Sequence, residues 1–114
     1  MATVVVSPTS PVATEDACTI TVAGAPINTT GVAETTPTYP PTPFTAQAEA
    51  SLRYFLSIRE GSAEKGRSYV FEPDSDGGHV FPNYVFPDAG TYVVHLCLDS
   101  DGSSVANSGN VTVQ

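Results

Sequence analysis

His79 and His95 are the only two histidines of the chain, and His95 stands two residues before Cys97. On an extended strand that spacing puts imidazole and thiol on one face. Two such ligands do not complete a zinc site, which takes four, so the pair reads as a surface or interface feature. Asp74-Ser75-Asp76-Gly77 and Asp99-Ser100-Asp101-Gly102 each gather two carboxylates. Calcium takes about six to eight oxygens, and neither run continues into a full loop. The plainer reading is turn chemistry, in which Asp accepts bonds from nearby backbone. Gly61-Ser62-Ala63-Glu64-Lys65-Gly66-Arg67-Ser68 is one substitution from a phosphate-binding loop. That loop needs Lys where Arg67 stands and a helix after it to aim N–H groups at phosphate, whereas a β-prone Tyr69-Val70-Phe71 follows. No Gly-x-Ser-x-Gly elbow occurs, and no nucleophile–base pair can be assembled from spacing. The expectation is a protein that is not an enzyme and uses no cofactor or metal. Two sequons, Asn28-Thr29-Thr30 and Asn110-Val111-Thr112, matter only in a secretory pathway.

The elements that would carry these residues are bounded by composition. The chain has 114 residues, the size of one domain with one two-layer core. Only 14% of residues are charged, against about 25% in typical soluble domains. Pro, Gly, Thr, Ser and Val are common, which fits many short strands and turns. Lys and Arg total 4 and the formal net charge is −8. A nucleic-acid binder needs cations to displace phosphate counterions, so nucleic acid is excluded as a partner. No apolar run reaches about 18 residues, so no membrane span is expected. Met1–Pro8 has neither a basic n-region nor a long apolar h-region. That points to a protein used without secretion, or to an excised domain with an added Met1.

Along the chain, Val4–Val6 is a short β-branched run that breaks at Ser7-Pro8, so residues 1–11 read as an extended arm or a first strand. Cys18, Ile20 and Val22 alternate with Thr19 and Thr21, a half-buried strand. Residues 27–43 carry four prolines among many threonines and read as a long extended loop. From Phe44 to Ile58 every even position is apolar, the period of a strand with one buried face. A helix competes there, because Ala46–Glu60 is rich in helix formers; periodicity favours the strand. Glu60–Ser68 reads as a polar turn, Tyr69–Phe71 as a short strand, and Val80–Phe86 as extended with Pro82 marking a sheet edge or a bulge. Thr91–Leu98 is a strong strand, and Asn110–Val113 closes the chain.

The stretch from Asn83 to Gly102 holds Asp88-Ala89-Gly90-Thr91-Tyr92, an alternating strand and an Asp-Ser-Asp-Gly hairpin. It resembles the end of a PKD-type immunoglobulin-like domain over roughly residues 80–113. The resemblance implies an all-β, antiparallel immunoglobulin-like sandwich of about seven strands. It also implies a tyrosine corner in which Asp88 and Gly90 shape the turn and Tyr92 returns its hydroxyl to upstream backbone. The long Pro/Thr loop and the lack of Trp depart from that family. In antibody-type domains the second cysteine lies two residues after the corner tyrosine, where this chain has Val94. By parity Cys97 faces away from the core while Cys18 faces in, so a disulfide would need a bulge. Two free thiols suit a reducing compartment.

The chain also looks similar to bacteriophage virion accessory proteins, which decorate a head or tail. That resemblance implies a structural protein in the virion, assembled in host cytoplasm. Its partners would be a major capsid or tail protein and neighbouring copies. Val4, Val5 and Val6, with Tyr39 and Phe44 of the proline loop, would then be the contacts. The alternative is an extracellular adhesion or carbohydrate-binding accessory module of a secreted protein.

Overall fold

The computed structural model describes residues 2–8, 11–27 and 52–114. Tyr39, Phe44, the loop beyond residue 27 and the first half of the Phe44–Ile58 segment lie outside the described residues.

Seven strands form: β1 (Thr3–Ser7), β2 (Ala17–Ala23), β3 (Tyr54–Glu60), β4 (Ala63–Arg67), β5 (His79–Val85), β6 (Gly90–Leu98) and β7 (Ser104–Val113). They make two antiparallel sheets, ordered β1-β2-β5 and β4-β3-β6-β7, and none of the described residues is helical. This is an all-β sandwich. Alternation builds it. In β2, Cys18, Ile20 and Val22 point inward; in β3, Tyr54, Leu56 and Ile58; in β6, Tyr92, Val94 and Leu96. These residues share one apolar core with Val4, Val6, Val12, Phe71, Phe81, Phe86, Val111 and Val113. Each fully buried Leu or Ile removes enough apolar surface from water to contribute about 1.5–3 kcal/mol.

Two features close the layers. After Ser7 the chain leaves the first sheet, and Val12 bridges Val113 in parallel on the second. Val12 N–H donates to Thr112 O and Gln114 N–H to Val12 O, both at 2.8 Å. On the core side, the hydroxyl of fully buried Tyr54 donates to Pro26 O at 2.5 Å. That bond ties the central strand of one sheet to the segment leaving β2, and satisfies a polar group that burial would otherwise penalise.

Several expectations need correction. Ala63–Arg67 is a strand rather than part of a turn. It pairs with β3 from the sheet edge and is solvated, so its sequence carries no apolar alternation. Tyr69–Phe71 is not a strand: only Phe71 pairs, in an isolated bridge with Tyr54. The closing strand starts at Ser104 rather than Asn110. Its early half is hidden in the sequence by two register shifts against β6 and by Gly109 at φ +77°. Pro82 sits on an edge strand, opposite a register shift between Cys18 and Ile20, as its missing N–H requires.

Leu96 is wholly buried between neighbours of both kinds of strand. Leu96→Ala is therefore expected to cost about 2–5 kcal/mol through lost transfer energy and the cavity left behind. Urea denaturation checks this; a shift in stability within about 0.5 kcal/mol, typical of surface sites, would refute the packing.

Candidate functional site

Chemistry-bearing side chains can be placed strand by strand. At the start of β6 the Tyr92 hydroxyl donates to Asp88 O at 2.9 Å. Gly90 has φ +156°, and a Cβ there would lie 2.6 Å from Glu60 Oε2. The corner thus needs both a tyrosine and a residue without a side chain. The Tyr92 phenol is pushed above its ordinary range by burial first, then by the charges of Glu60 and Asp88.

The outward face of the four-stranded sheet is polar. Register aligns it in rows: Phe55, Cys97 and Ser104; Arg67, Ser57, His95 and Asn107; Glu64, Arg59, Val93 and Asn110. Ser57 is fully buried and is satisfied on both sides. Arg59 Nε donates to its Oγ at 2.9 Å, and that hydroxyl donates to Glu64 Oε2 at 2.5 Å. Arg67 donates to both Glu64 oxygens and holds its guanidinium 4.4 Å from the centre of the Phe55 ring. Cys97 faces outward by register yet is fully buried, with Arg59 Nη2 3.6 Å from its Sγ. Cys18 is buried in the core, and both thiols are free. His95 shares the outward face with Cys97, and its Nδ1 lies 2.8 Å from Ser104 Oγ. Alternation in Tyr54–Ile58 sets Ser57 outward, but nothing local shows that Arg59 and Glu64 converge on it.

The other sheet is chemically the opposite. None of the residues of β1, β2 or β5 is Asp, Glu, Lys or Arg. Register sets Val5 beside Thr21 and Thr21 beside Val80, and the two valines are 53% and 51% exposed. Of the three N-terminal valines, only Val5 is exposed. Val4 and Val6 point into the core, because alternate side chains of a strand take opposite faces. Beside this sheet, Tyr69 is 61% exposed and bonds His79 Nε2 at 2.9 Å. His79 in turn stacks on Phe71, with centroids 4.4 Å apart.

The two acidic turns are spent on their own backbone. Asp74 Oδ1 accepts from the N–H groups of Asp76 and Gly78 at 2.8 Å, and Asp101 Oδ1 from Ser103 at 2.9 Å. These bonds hold both carboxyls below their usual range. Among the described residues no three His, Cys, Asp or Glu side chains are grouped to hold a metal. No family model, curated protein or solved structure matches the chain.

Removing the corner hydrogen bond with Tyr92→Phe is expected to lower stability by about 0.5–1.5 kcal/mol; an unchanged urea midpoint would contradict it. A pH dependence follows from the polar face. Glu64 is lowered by its bond from Ser57, then by Arg67, and His95 is lowered by burial, then by the charge of Arg59. Both bind protons less readily folded than unfolded, so stability is full at pH 7 and falls on acidification. Loss begins as pH passes the ordinary histidine value of 6.5 and deepens near the ordinary glutamate value of 4.5. His95→Gln is expected to flatten the first part of that fall in urea midpoints measured from pH 7 to 4. A midpoint that rises on acidification would reverse the sign.

Proposed function

We propose that this chain is a non-enzymatic, immunoglobulin-like module of PKD type, serving as an accessory or decoration protein on a bacteriophage capsid or tail. The immunoglobulin-like assignment is supported by the three-plus-four split of seven antiparallel strands and by the Tyr92–Asp88 bond at the start of β6. The observation that carries the structural role is the uncharged sheet. A domain of net charge −8 keeps every ionised side chain off β1, β2 and β5. Burying an unpaired ion costs several kcal/mol, and this face can be laid on another protein without doing so. Among the described residues β1 and β5 are the edges of this sheet, and an edge strand offers backbone groups that can extend a partner's sheet. The remaining acidity suits a place on the outside of a shell, away from packaged DNA.

A second reading, an extracellular carbohydrate-binding accessory module, is favoured by one observation. Tyr69 is exposed and held by His79, an arrangement on which a sugar ring can pack. Tyr69→Ala would then abolish retention on a glycan column.

The deciding experiment is density-gradient fractionation of the native lysate with this chain quantified in each fraction. Recovery in the particle fraction at many copies is expected. The double variant Val5→Glu, Val80→Glu should move the chain to the free fraction while changing stability by no more than about 0.5 kcal/mol. Recovery of the unmodified chain only as free protein would sink the proposal.

A further inference from the structure

A cavity of about 220 Å³ opens at one end of the sandwich, where β3 and β4 meet the segment entering β6. Its chemistry differs from that of either sheet face. Half-buried Tyr84 supplies the accessible aromatic surface; Phe86 and Tyr92 are buried in the core beside it, with ring centroids 4.8 Å apart for Tyr84–Phe86 and 5.3 Å for Phe86–Tyr92. Glu60 and Asp88 bring two carboxylates. The Glu60 carboxylate reaches its place because Gly90 has no Cβ to obstruct it. Asp88 makes no ion pair with another described residue, and Lys65 Nζ lies 3.7 Å from Glu60 Oε1 with both side chains well exposed.

Aromatic rings attract a cation over their faces, and adjacent carboxylates strengthen that preference. A metal ion is a poor fit, because a hard cation wants about six oxygens and ring carbons supply none. The volume is below the roughly 300–1,000 Å³ of a pocket for a drug-sized ligand, so it suits a single side chain. A guanidinium is planar, weakly hydrated and able to stack on tyrosine while pairing with carboxylate. Lys65 already shows that the mouth admits a basic group. We infer that this cavity receives an arginine side chain from a partner protein, packed against Tyr84 and paired with Asp88 and Glu60. Tyr84 belongs to β5 of the uncharged sheet but packs against the core, not on the exposed Val5–Val80 face, and the site does not depend on whether the partner is a capsid or tail protein. The strong negative charge of the rest of the chain would steer a basic surface towards it.

The test is an NMR titration of the isotope-labelled full chain with N-acetyl-arginine N-methylamide. The isosteric, neutral citrulline derivative is the control. Saturable shifts confined to Glu60, Lys65 and Tyr84–Tyr92 are expected, with a Kd on the order of 1 mM that weakens as salt screens the charges. Asp88→Asn and Glu60→Gln should each weaken binding by about fivefold. Lys65→Gln should strengthen it by removing the resident competitor, and Glu64→Gln, on the opposite face of the sheet, should change nothing. The dispersion of each variant's own spectrum reports that it is folded. Equal shifts with citrulline, no localised shifts with arginine, or indifference to the Asp88 and Glu60 substitutions would each overturn the proposal. Failure of particle association in the gradient would leave this result untouched, and the converse also holds.

Discussion

The apolar contact between β2 on one sheet and the β3–β6 pair on the other is the constraint on which the rest of the molecule depends. Ile20, Leu56, Val94 and Leu96 are buried to the last few per cent, and each sits on a strand whose alternate residues must therefore face outward. A slip of one residue in any of these strands would turn every side chain over. The core thus dictates the outer surfaces: once Leu56 and Leu96 point in, Ser57, His95 and Cys97 have nowhere to go but the opposite face.

That consequence explains which parts of the structure were legible in the sequence. Alternation is a local signal wherever one face is buried and the other wet, so β2, β6 and the inward set of β3 could be read from Cys18–Val22, Thr91–Leu98 and Tyr54–Ile58. It fails where both faces are wet, as in β4, whose Ala-Glu-Lys-Gly-Arg run has no apolar member of the right period. It fails also where the ladder is irregular, as in the first half of β7, where Gly109 and two register shifts break the rhythm. The turn at Asp88–Gly90 was legible because its chemistry is confined to five consecutive residues. The cavity beside it was not, because Glu60, Lys65 and Tyr84 come from three separate strands and meet only through the fold. The parity of Cys97 was legible; its burial was not, because Arg59 reaches it from a neighbouring strand.

Charge is sorted as strictly as hydrophobicity. All four cations fall between Arg53 and Arg67, on β3, β4 and the residue before them, while one sheet carries none of either sign in its strands. Within the basic hairpin the arginines are not free counter-charges. Arg59 and Arg67 are engaged in holding Ser57 and Glu64, which lets a hydroxyl be buried without an unsatisfied bond. The hairpin's cations thus secure an edge strand that has little apolar surface of its own.

The parallel bridge between Val12 and Val113 has a mechanical meaning. Tension applied at Gln114 runs along β7 and is resisted by the Val12–Thr112, Gln114–Val12 and Thr14–Gln114 backbone bonds together with the β6–β7 ladder. Those bonds lie across the direction of pull, so they are loaded in shear and share the force instead of opening one after another like a zipper. A load carried along β7 is therefore spread over both its β6 partner and the Val12–Thr14 segment.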